Sequence, residues 1–389
     1  MTQQRIALCG GSRTAIGKFG GSLAEIGALD LGAELVKGCL KRAGAEPSEV
    51  ERLVLGENVQ VTRGGNPARH VLLRSGIPVE ADDYSINMNC SSGLRAITCL
   101  AQDLLRDEIK VGVAAGTESM SNTPYMLEKV RRGYRLGNGV LVDFLADYIL
   151  GDAGPMAEKV AAKYHISRED QDRWALESQQ KALDAIDAGR FADSIVPIDI
   201  AKKGAEASLF SVDEHPRRGL SLESLAKLKP AFDPAGSVTA GNSSGINDGA
   251  AAFVVCTEEV ARERGYVING FLIDWASAGV EPGLFGIGPV PAVRKLLGRA
   301  GLDAADIDLV ELNEAFASST VAVVRELKLD EAKVNVNGGA IALGHPVGAT
   351  GIILTVKLLN ELTRRQLRRG IVTMCVGSGQ GMAMLVEAV

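Results

Sequence analysis

Arg42-Ala-Gly44 leads into Val50-Glu-Arg-Leu-Val-Leu-Gly-Glu57, and Arg299-Ala-Gly301 leads into Ile307-Asp-Leu-Val-Glu-Leu-Asn-Glu314 at the same spacing, without a gap. In each block a glycine stops a helical stretch and an apolar strand follows. The match continues downstream in the same order. Asn87-Met-Asn89 ends one strand and Asn335-Val-Asn337 its counterpart, and Ala114-Ala-Gly-Thr117 matches Cys375-Val-Gly-Ser378. Chance likeness between amphipathic segments does not keep several matches in one order, so the chain reads as an internal duplication.

Around the first block, residues 5–118 alternate strands with helices. Arg5–Cys9, Arg52–Leu55, Asp83–Asn89 and Val111–Ala115 read as strands. Ser22-Leu-Ala-Glu25 has the spacing of a capping box and opens a helix that ends near Gly44. Further helices are expected around Pro67–Ser75 and over Leu94–Arg106, where Leu94, Ile97, Leu100, Leu104 and Leu105 recur near helical period. This alternation predicts a layered α/β fold with buried sheets. Residues 119–245 have no counterpart in the repeat and are more charged, with Arg131-Arg132, Lys202-Lys203, Arg217-Arg218 and a helix over Arg168–Ala188. They read as an insertion or lid. The expected division is 1–118 plus about 246–268 for the N-terminal half, 119–245 for the insertion and 269–389 for the C-terminal half.

Composition narrows the function classes. The chain has 389 residues and a formal net charge of −6, the opposite of the basic footprint of a general nucleic-acid binder. Its most apolar region, Gly338 to Leu359, is broken by His345, Pro346 and Lys357, so no membrane span is expected. Neither a signal peptide nor a sorting tripeptide is read at the ends, which makes a cytoplasmic location the expectation. Cys9, Cys39, Cys90, Cys99, Cys256 and Cys375 form no CxxC pair and no zinc spacing, and they read as free thiols of a reducing compartment.

The halves differ where chemistry would sit. Cys90 falls between a strand end and a helix start, where unpaired N–H groups favour a thiolate, and Ser91, Ser92 and Gly93 leave room for a substrate. The competing reading is a structural helix-cap cysteine. His345 sits in an apolar, Gly-rich loop, either as a hydrogen-bonded structural residue or as a general base poised near neutral pH. His70, His165 and His215 read as surface residues. Cys375 precedes Gly377-Ser-Gly-Gln-Gly381, which is either a tight hairpin or a set of backbone N–H groups facing a ligand as an oxyanion hole. It runs from strand to strand, not strand to helix, which argues against a dinucleotide site. Asn313 ends a buried strand and serves either as a turn or cap, or as a holder of water or a substrate oxygen.

Together these stretches resemble the thiolase family. The resemblance rests on Asn87-Met-Asn-Cys-Ser-Ser-Gly93, Thr239-Ala-Gly-Asn-Ser-Ser-Gly-Ile-Asn-Asp-Gly249, Asn313-Glu-Ala-Phe316, Gly338-Gly-Ala-Ile-Ala-Leu-Gly-His-Pro-Val-Gly-Ala349 and the Cys375–Gly381 segment, in the family's order along essentially the whole chain. It implies a duplicated five-layered αβαβα body with an inserted loop domain over a coenzyme A site. It also implies reversible Claisen condensation and thiolysis through an acyl-enzyme on Cys90, with His345 taking the thiol proton and Cys375 as general acid and base. Cys90 and Gly377 N–H groups would form one oxyanion hole, and His345 with a water on Asn313 the second. Arg217, helped by Ser224, would meet the adenine nucleotide end of coenzyme A. Phe232, Ala240, Ser244 and Leu145 would line the pantetheine path, with Phe316 at its inner end. Acyl-CoA and CoA are implied as substrates, with no metal or redox cofactor, in a homodimer or homotetramer.

Two departures bear on specificity. Asp152-Ala153-Gly154-Pro155-Met156 stands where many short-chain members carry His-Met-Gly, and Phe285 stands where they often have Met. Ala153 therefore leads to the expectation of a pocket for acyl groups longer than acetoacetyl. The Tyr125–Gly139 segment, with Arg131, Arg132 and Arg135, is the expected tetramer contact. Two other functions compete. A cysteine hydrolase built on Cys90, His345 and Asn313 is disfavoured by the second reactive cysteine. A non-catalytic CoA-binding relative should have lost one of the four residues, and none is lost.

Overall fold

The computed structural model describes residues 4–61, 65–201 and 206–389; the Lys202-Lys203 pair lies outside them. Its first half is built from β1 (Ile6–Arg13), the two-residue β2 (Gly17–Lys18), β3 (Arg52–Gly56), β4 (Asp82–Ile86) and β5 (Val111–Ser119). Two short antiparallel pairs follow in the insertion, β6 (Tyr125–Leu127) with β7 (Leu141–Asp143) and β8 (Ile198–Asp199) with β9 (Leu209–Phe210). The chain then returns to the body as β10 (Asn247–Thr257), and β11 (Ile268–Gly279), β12 (Leu309–Leu312), β13 (Arg369–Val376) and β14 (Gln380–Ala388) form the second half.

The duplication is visible in how these strands pair. Among the described residues they form one sheet in the order β4-β3-β5-β10-β1-β11-β14-β13-β12, with β2 on β10. From the outer edge inward the first half runs parallel β4–β3 and β3–β5, then antiparallel β5–β10 and β10–β1. The second half repeats this as parallel β12–β13, then antiparallel β13–β14 and β14–β11. The two first strands meet antiparallel at the centre, with Ile6 opposite Leu272. Local chemistry repeats as well. Helix α1 (Ala28–Ala43) stops at Gly44 with φ 73°, and its later equivalent stops at Gly301 with φ 64°, a left-handed turn that glycine takes without a side-chain clash. Each stop is followed by a short turn with a reciprocal acidic capping box, Glu46 with Glu49 and Asp303 with Asp306, before the next strand.

Helices set the layers. α1 and α2 (Pro67–Arg74) pack on strands of the first half, and α3 (Ser92–Leu105) packs on β3, β4, β5 and β10. The insertion carries α4 (Ala153–Lys163), α5 (Arg168–Asp187) and the short α6 (Leu222–Ala226). After α7 (Glu258–Glu263), α8 (Pro289–Ala300) packs on the second half and on α9 (Ala317–Leu327), and the short α10 (Ala340–Leu343) leads into α11 (Val347–Arg365). α11 touches strands of both halves and lies against α3, so these two helices form the central layer of the αβαβα body. Their N-terminal ends meet the sheet at a crossing without side chains. A Cβ on Gly56 would lie 2.6 Å from the Ser92 carbonyl carbon, one on Gly116 2.5 Å from Gly348 O, and one on Gly348 2.6 Å from Thr117 O. Glycine at these positions lets both helix ends approach the ends of β3 and β5.

Several local expectations are corrected. Ser22–Glu25 is not a helix cap: α1 starts at Ala28, and the Ser22 N–H and hydroxyl donate to Glu214 instead. The strand expected over Asp83–Asn89 stops at Ile86, and Asn89 turns the chain with φ 46°. Asn335–Asn337 does not end a full strand. Only Val334 bridges Val310, and the Asn335 side chain then takes over, accepting from Leu312 N at 2.8 Å and donating to Leu312 O at 2.8 Å. A side-chain amide carries the same donor and acceptor as a peptide, so it extends the pairing by one step. The insertion is also more than a cover. α5 buries Trp174, Ala175, Ser178 and Ala182 and packs on α9 and α10.

Candidate active site

Cys90 is half-buried between the Asn89 turn and α3. The backbone amides of Cys90 itself and of Gly377, which belongs to the β13–β14 hairpin of the other half, both act on its sulfur to favour the thiolate. The same contact is held from the opposite side, because Asn89 Nδ2 donates to Gly377 O at 3.0 Å. That hairpin turns through Ser378 (φ 71°) and Gly379 (φ 94°), so the tight-turn reading of Gly377–Gly381 holds, and the turn sets the Gly377 backbone beside the Asn89–Cys90 segment. Burial pushes the Cys90 thiol up to about 11, and the two amides only partly oppose this. The lowering expected from a helix start is therefore outweighed by desolvation. Cys375 is buried beside Cys90, and burial followed by that neighbour raises its thiol further.

His345 is buried just ahead of α11. Its N–H donates to Asn247 Oδ1 at 3.0 Å. Thr350 Oγ1 lies 2.7 Å from His345 Nδ1 and 2.8 Å from the Pro346 carbonyl oxygen. The carbonyl only accepts, so the single hydroxyl proton goes there and Thr350 accepts from His345 Nδ1–H. The free lone pair is then on Nε2, which faces the Asn313 Nδ2 donor at 3.4 Å. Asn313 Oδ1 is buried with no protein partner among the described residues, a vacant acceptor beside the imidazole. Desolvation holds the imidazole down at about 4, so His345 rests neutral.

Two buried acids brace this arrangement. Glu314 accepts from Trp174 Nε1, Ser178 Oγ, Asn335 Nδ2 and the Ile341 N–H, tying the insertion to the loop that carries His345. Glu118 accepts from the N–H groups of Asn58, Val59 and Gly348, the last in the first turn of α11. Burial raises Glu118 to about 7. Its neighbour Glu57 is raised to about 9, by burial first and then by the Glu118 charge, and Glu57 Oε2 has no partner among the described residues. The linkage has a definite sign. Glu57 ordinarily titrates near 4.5, so above that pH the folded chain keeps a proton that the unfolded chain has released, and stability falls as pH rises toward about 9. Glu57→Gln is therefore expected to raise the melting temperature by more at about pH 9 than at about pH 5. An equal offset at both pH values in thermal melts would refute this.

A cavity of about 740 Å³ opens beside His345. Arg217, Phe232, Ala240, Ser244 and Phe316 line it together with Met120, Ala153, Gly154, Val347 and His215. Ser224 lines a smaller neighbouring cavity that shares Arg217, Ala240 and His215. Leu145 is not on the cavity wall. It is buried with Met120 and Val347, and Cys90 packs on this cluster. Cys375 sits in a cluster with Phe285 and Phe316, against which Ala153 and Met156 pack. Of the expected catalytic residues His345 is on the cavity wall, while Asn313 lies behind it on His345, Cys90 packs against the wall residue Val347 and Cys375 against the wall residue Phe316. Arg217 is on the wall of both cavities and Ser224 on the smaller one. His215 is no plain surface residue: it is half-buried at the junction of both cavities, and desolvation, then Arg217, lowers it to about 4. Thr350, Glu118, Glu57 and Glu314 were not singled out from the sequence. The one available signal was an acid at the end of the small-residue run Val111–Ser119.

Comparison with known proteins agrees with this geometry. The family model described as thiolase, N-terminal domain, matches residues 6–259, and the model described as thiolase, C-terminal domain, matches 266–388. An acetyl-CoA acetyltransferase of Chromobacterium violaceum is 45% identical over 98% of this chain and 99% of its own length. One from Escherichia coli is 46% identical over 96% of this chain and 97% of its own. Among solved structures, the Bacillus anthracis acetyl-CoA acetyltransferase superposes with a TM-score of 0.96 at 43% identity, covering 99% of each chain. Human mitochondrial 3-ketoacyl-CoA thiolase in complex with CoA superposes with a TM-score of 0.94 at 40% identity, covering 99% of this chain and 98% of the other.

Proposed function

The chain belongs to the thiolase family, whose members are acyltransferases that condense and cleave CoA thioesters, and we propose that it does so through an acyl-enzyme on Cys90. The observation that carries this reading is the hydrogen bond from Asn89 Nδ2 to Gly377 O at 3.0 Å, which brings the Gly377 backbone of the opposite half beside Cys90. In thiolysis both thiols start protonated, in keeping with the upward push on each. Cys90 Sγ attacks the 3-keto carbonyl and gives its proton to His345 Nε2, while the Cys90 and Gly377 N–H groups receive the developing oxyanion. The C2–C3 bond breaks, and the acetyl-CoA enolate takes the proton of Cys375. The enolate oxygen is met by His345, now protonated, and by a water on Asn313. Incoming CoA then gives its thiol proton to Cys375 and attacks the acyl group, and Cys90 leaves and recovers its proton from His345. Condensation is the reverse. No stored thiolate is needed, because each proton moves as charge develops.

Arg217, Ser224, Phe232, Ala240 and Ser244 are assigned to coenzyme A, with Phe316 at the inner end; their shared cavities support this, whereas Leu145 would act from beneath the site. The division at 1–118 plus 246–268, 119–245 and 269–389 is retained as the functional division. Ala153 on the cavity wall supports acyl groups longer than acetoacetyl. A thiolysis profile is expected to give a higher kcat/KM for 3-oxooctanoyl-CoA than for acetoacetyl-CoA, and the reverse order would overturn the specificity. For assembly we assign a tetramer contact to the hairpin around β6 and β7, where Tyr125, Leu136 and Leu141 are exposed beside Arg131 and Arg132. Leu136→Asp is expected to leave dimers in sedimentation velocity, and an unchanged tetramer would refute the placement. Free thiols at all six cysteines support a cytoplasmic compartment. No helix among the described residues is long and apolar enough to cross a membrane.

A further inference from the structure

Lys357 lies in the middle of α11, buried, at a place where an apolar side chain would cost less. Its Nζ donates to Glu311 Oε2 at 2.8 Å and to the Gly338 carbonyl at 2.7 Å. These acceptors belong to different segments. Glu311 is on β12, two residues before Asn313, and alternation along a strand continued through that residue puts both side chains on one face. Gly338 begins the loop that ends in His345. The two segments converge at their far ends, where Asn313 Nδ2 lies 3.4 Å from His345 Nε2. The loop is also held from the insertion by Ser178 through Gly339 N–H and by Gln179 through the Ile341 carbonyl, from the end of β12 by Glu314 through Ile341 N–H, and from β10 by Asn247 through His345 N–H. From the central helix Lys357 ties the Gly338 end of the loop, as Thr350 ties its His345 end.

We propose that Lys357 is a positioning residue for acyl transfer: its ammonium, bridging Glu311 and Gly338, sets the separation of Asn313 from His345. The inference rests on the assignment of Asn313 and His345 to the reaction. An ammonium suits this task because it makes short bonds in several directions at once and links a carboxylate on the strand to a peptide carbonyl on the loop. The cavity residues assigned to coenzyme A do not touch it, so its loss should act on turnover and not on binding.

The test is the double variant Glu311→Leu/Lys357→Met, apolar on both sides so that neither charge is left buried alone. The expected result is a cooperative melt, a kcat for thiolysis at least about tenfold lower and a KM for CoA within about twofold of the parent. An unchanged kcat overturns the proposal, and so does a fall in kcat that comes with an equal rise in KM or with loss of the cooperative melt. Asn313→Ala and His345→Ala are measured alongside. If those two keep full activity, the functional assignment of the pair fails, whatever the double variant shows.

Discussion

Replacing Cys90 with serine is expected to lower kcat by at least about 10⁴-fold, roughly 5.5 kcal/mol of barrier at 1.36 kcal/mol per decade. A thiol is intrinsically the stronger nucleophile, and a hydroxyl must lose a far less acidic proton. In this site the difference is amplified. The only base assigned to that proton is an imidazole held at about 4, which accepts a proton only as charge moves onto the substrate oxygen. With an alkoxide forming, the mismatch between donor and base widens by several more decades. The cavity residues are untouched, so KM for the thioester should stay within a few-fold. Steady-state thiolysis and mass spectrometry of the denatured protein after mixing with acyl-CoA check this together. Turnover within tenfold of the parent, or an acyl adduct elsewhere in the chain, would rule out Cys90 as nucleophile.

Cys375→Ala should separate two reactions that the parent performs together. Exchange of CoA with acetyl-CoA moves no proton at C2, so Cys375 keeps its proton throughout and the thiol proton passes between Cys90 and the CoA sulfur through neutral His345, whereas in thiolysis the enolate has emptied Cys375 and CoA refills it. Condensation and thiolysis also need a proton moved at C2. The variant is therefore expected to keep CoA exchange within about tenfold while condensation and thiolysis fall by roughly 10²- to 10⁴-fold, the range for loss of a positioned acid or base. Exchange with labelled CoA, measured against thiolysis in the same sample, provides the comparison. Equal losses in both would show that Cys375 supports Cys90 instead of handling the C2 proton. Rapid hydrolysis of the acyl group in place of transfer to CoA would favour a cysteine hydrolase.

The duplication and the stretches that carry the residues assigned to the reaction were legible in the sequence because they rest on local signals: a glycine after a helix, an apolar strand, a cysteine next to small residues. What escaped notice depends on contacts between distant segments. Ser22 and Glu25 carried the right spacing for a cap, but Glu214 offered Ser22 a tertiary partner and the helix began later. Asn335 looked like the end of a strand, yet its side chain does the pairing, and periodicity cannot distinguish the two. His215 sat among charged neighbours and read as exposed, although its ring packs where a Gly245 side chain would be. The Cys90 environment was read from a helix start alone. Part of its burial comes from Met120, Leu145 and Val347, drawn from three separate segments of the chain.

The antiparallel meeting of β1 with β11 acts as a ruler. The proposed nucleophile Cys90 belongs to one half and the Gly377 backbone bonded to its neighbour Asn89 to the other, so their separation is measured through this seam and the central helices. Ile6 opposite Leu272 is one graduation on it, and the next lies about 3.3 Å away. A slip of one step would exceed the 3.0 Å of the hydrogen bond from Asn89 to Gly377 that joins the halves beside Cys90. Neither half can therefore drift, be exchanged or accumulate changes at the seam independently. The duplicated halves are bound to vary as one object, although each keeps the outline of its origin.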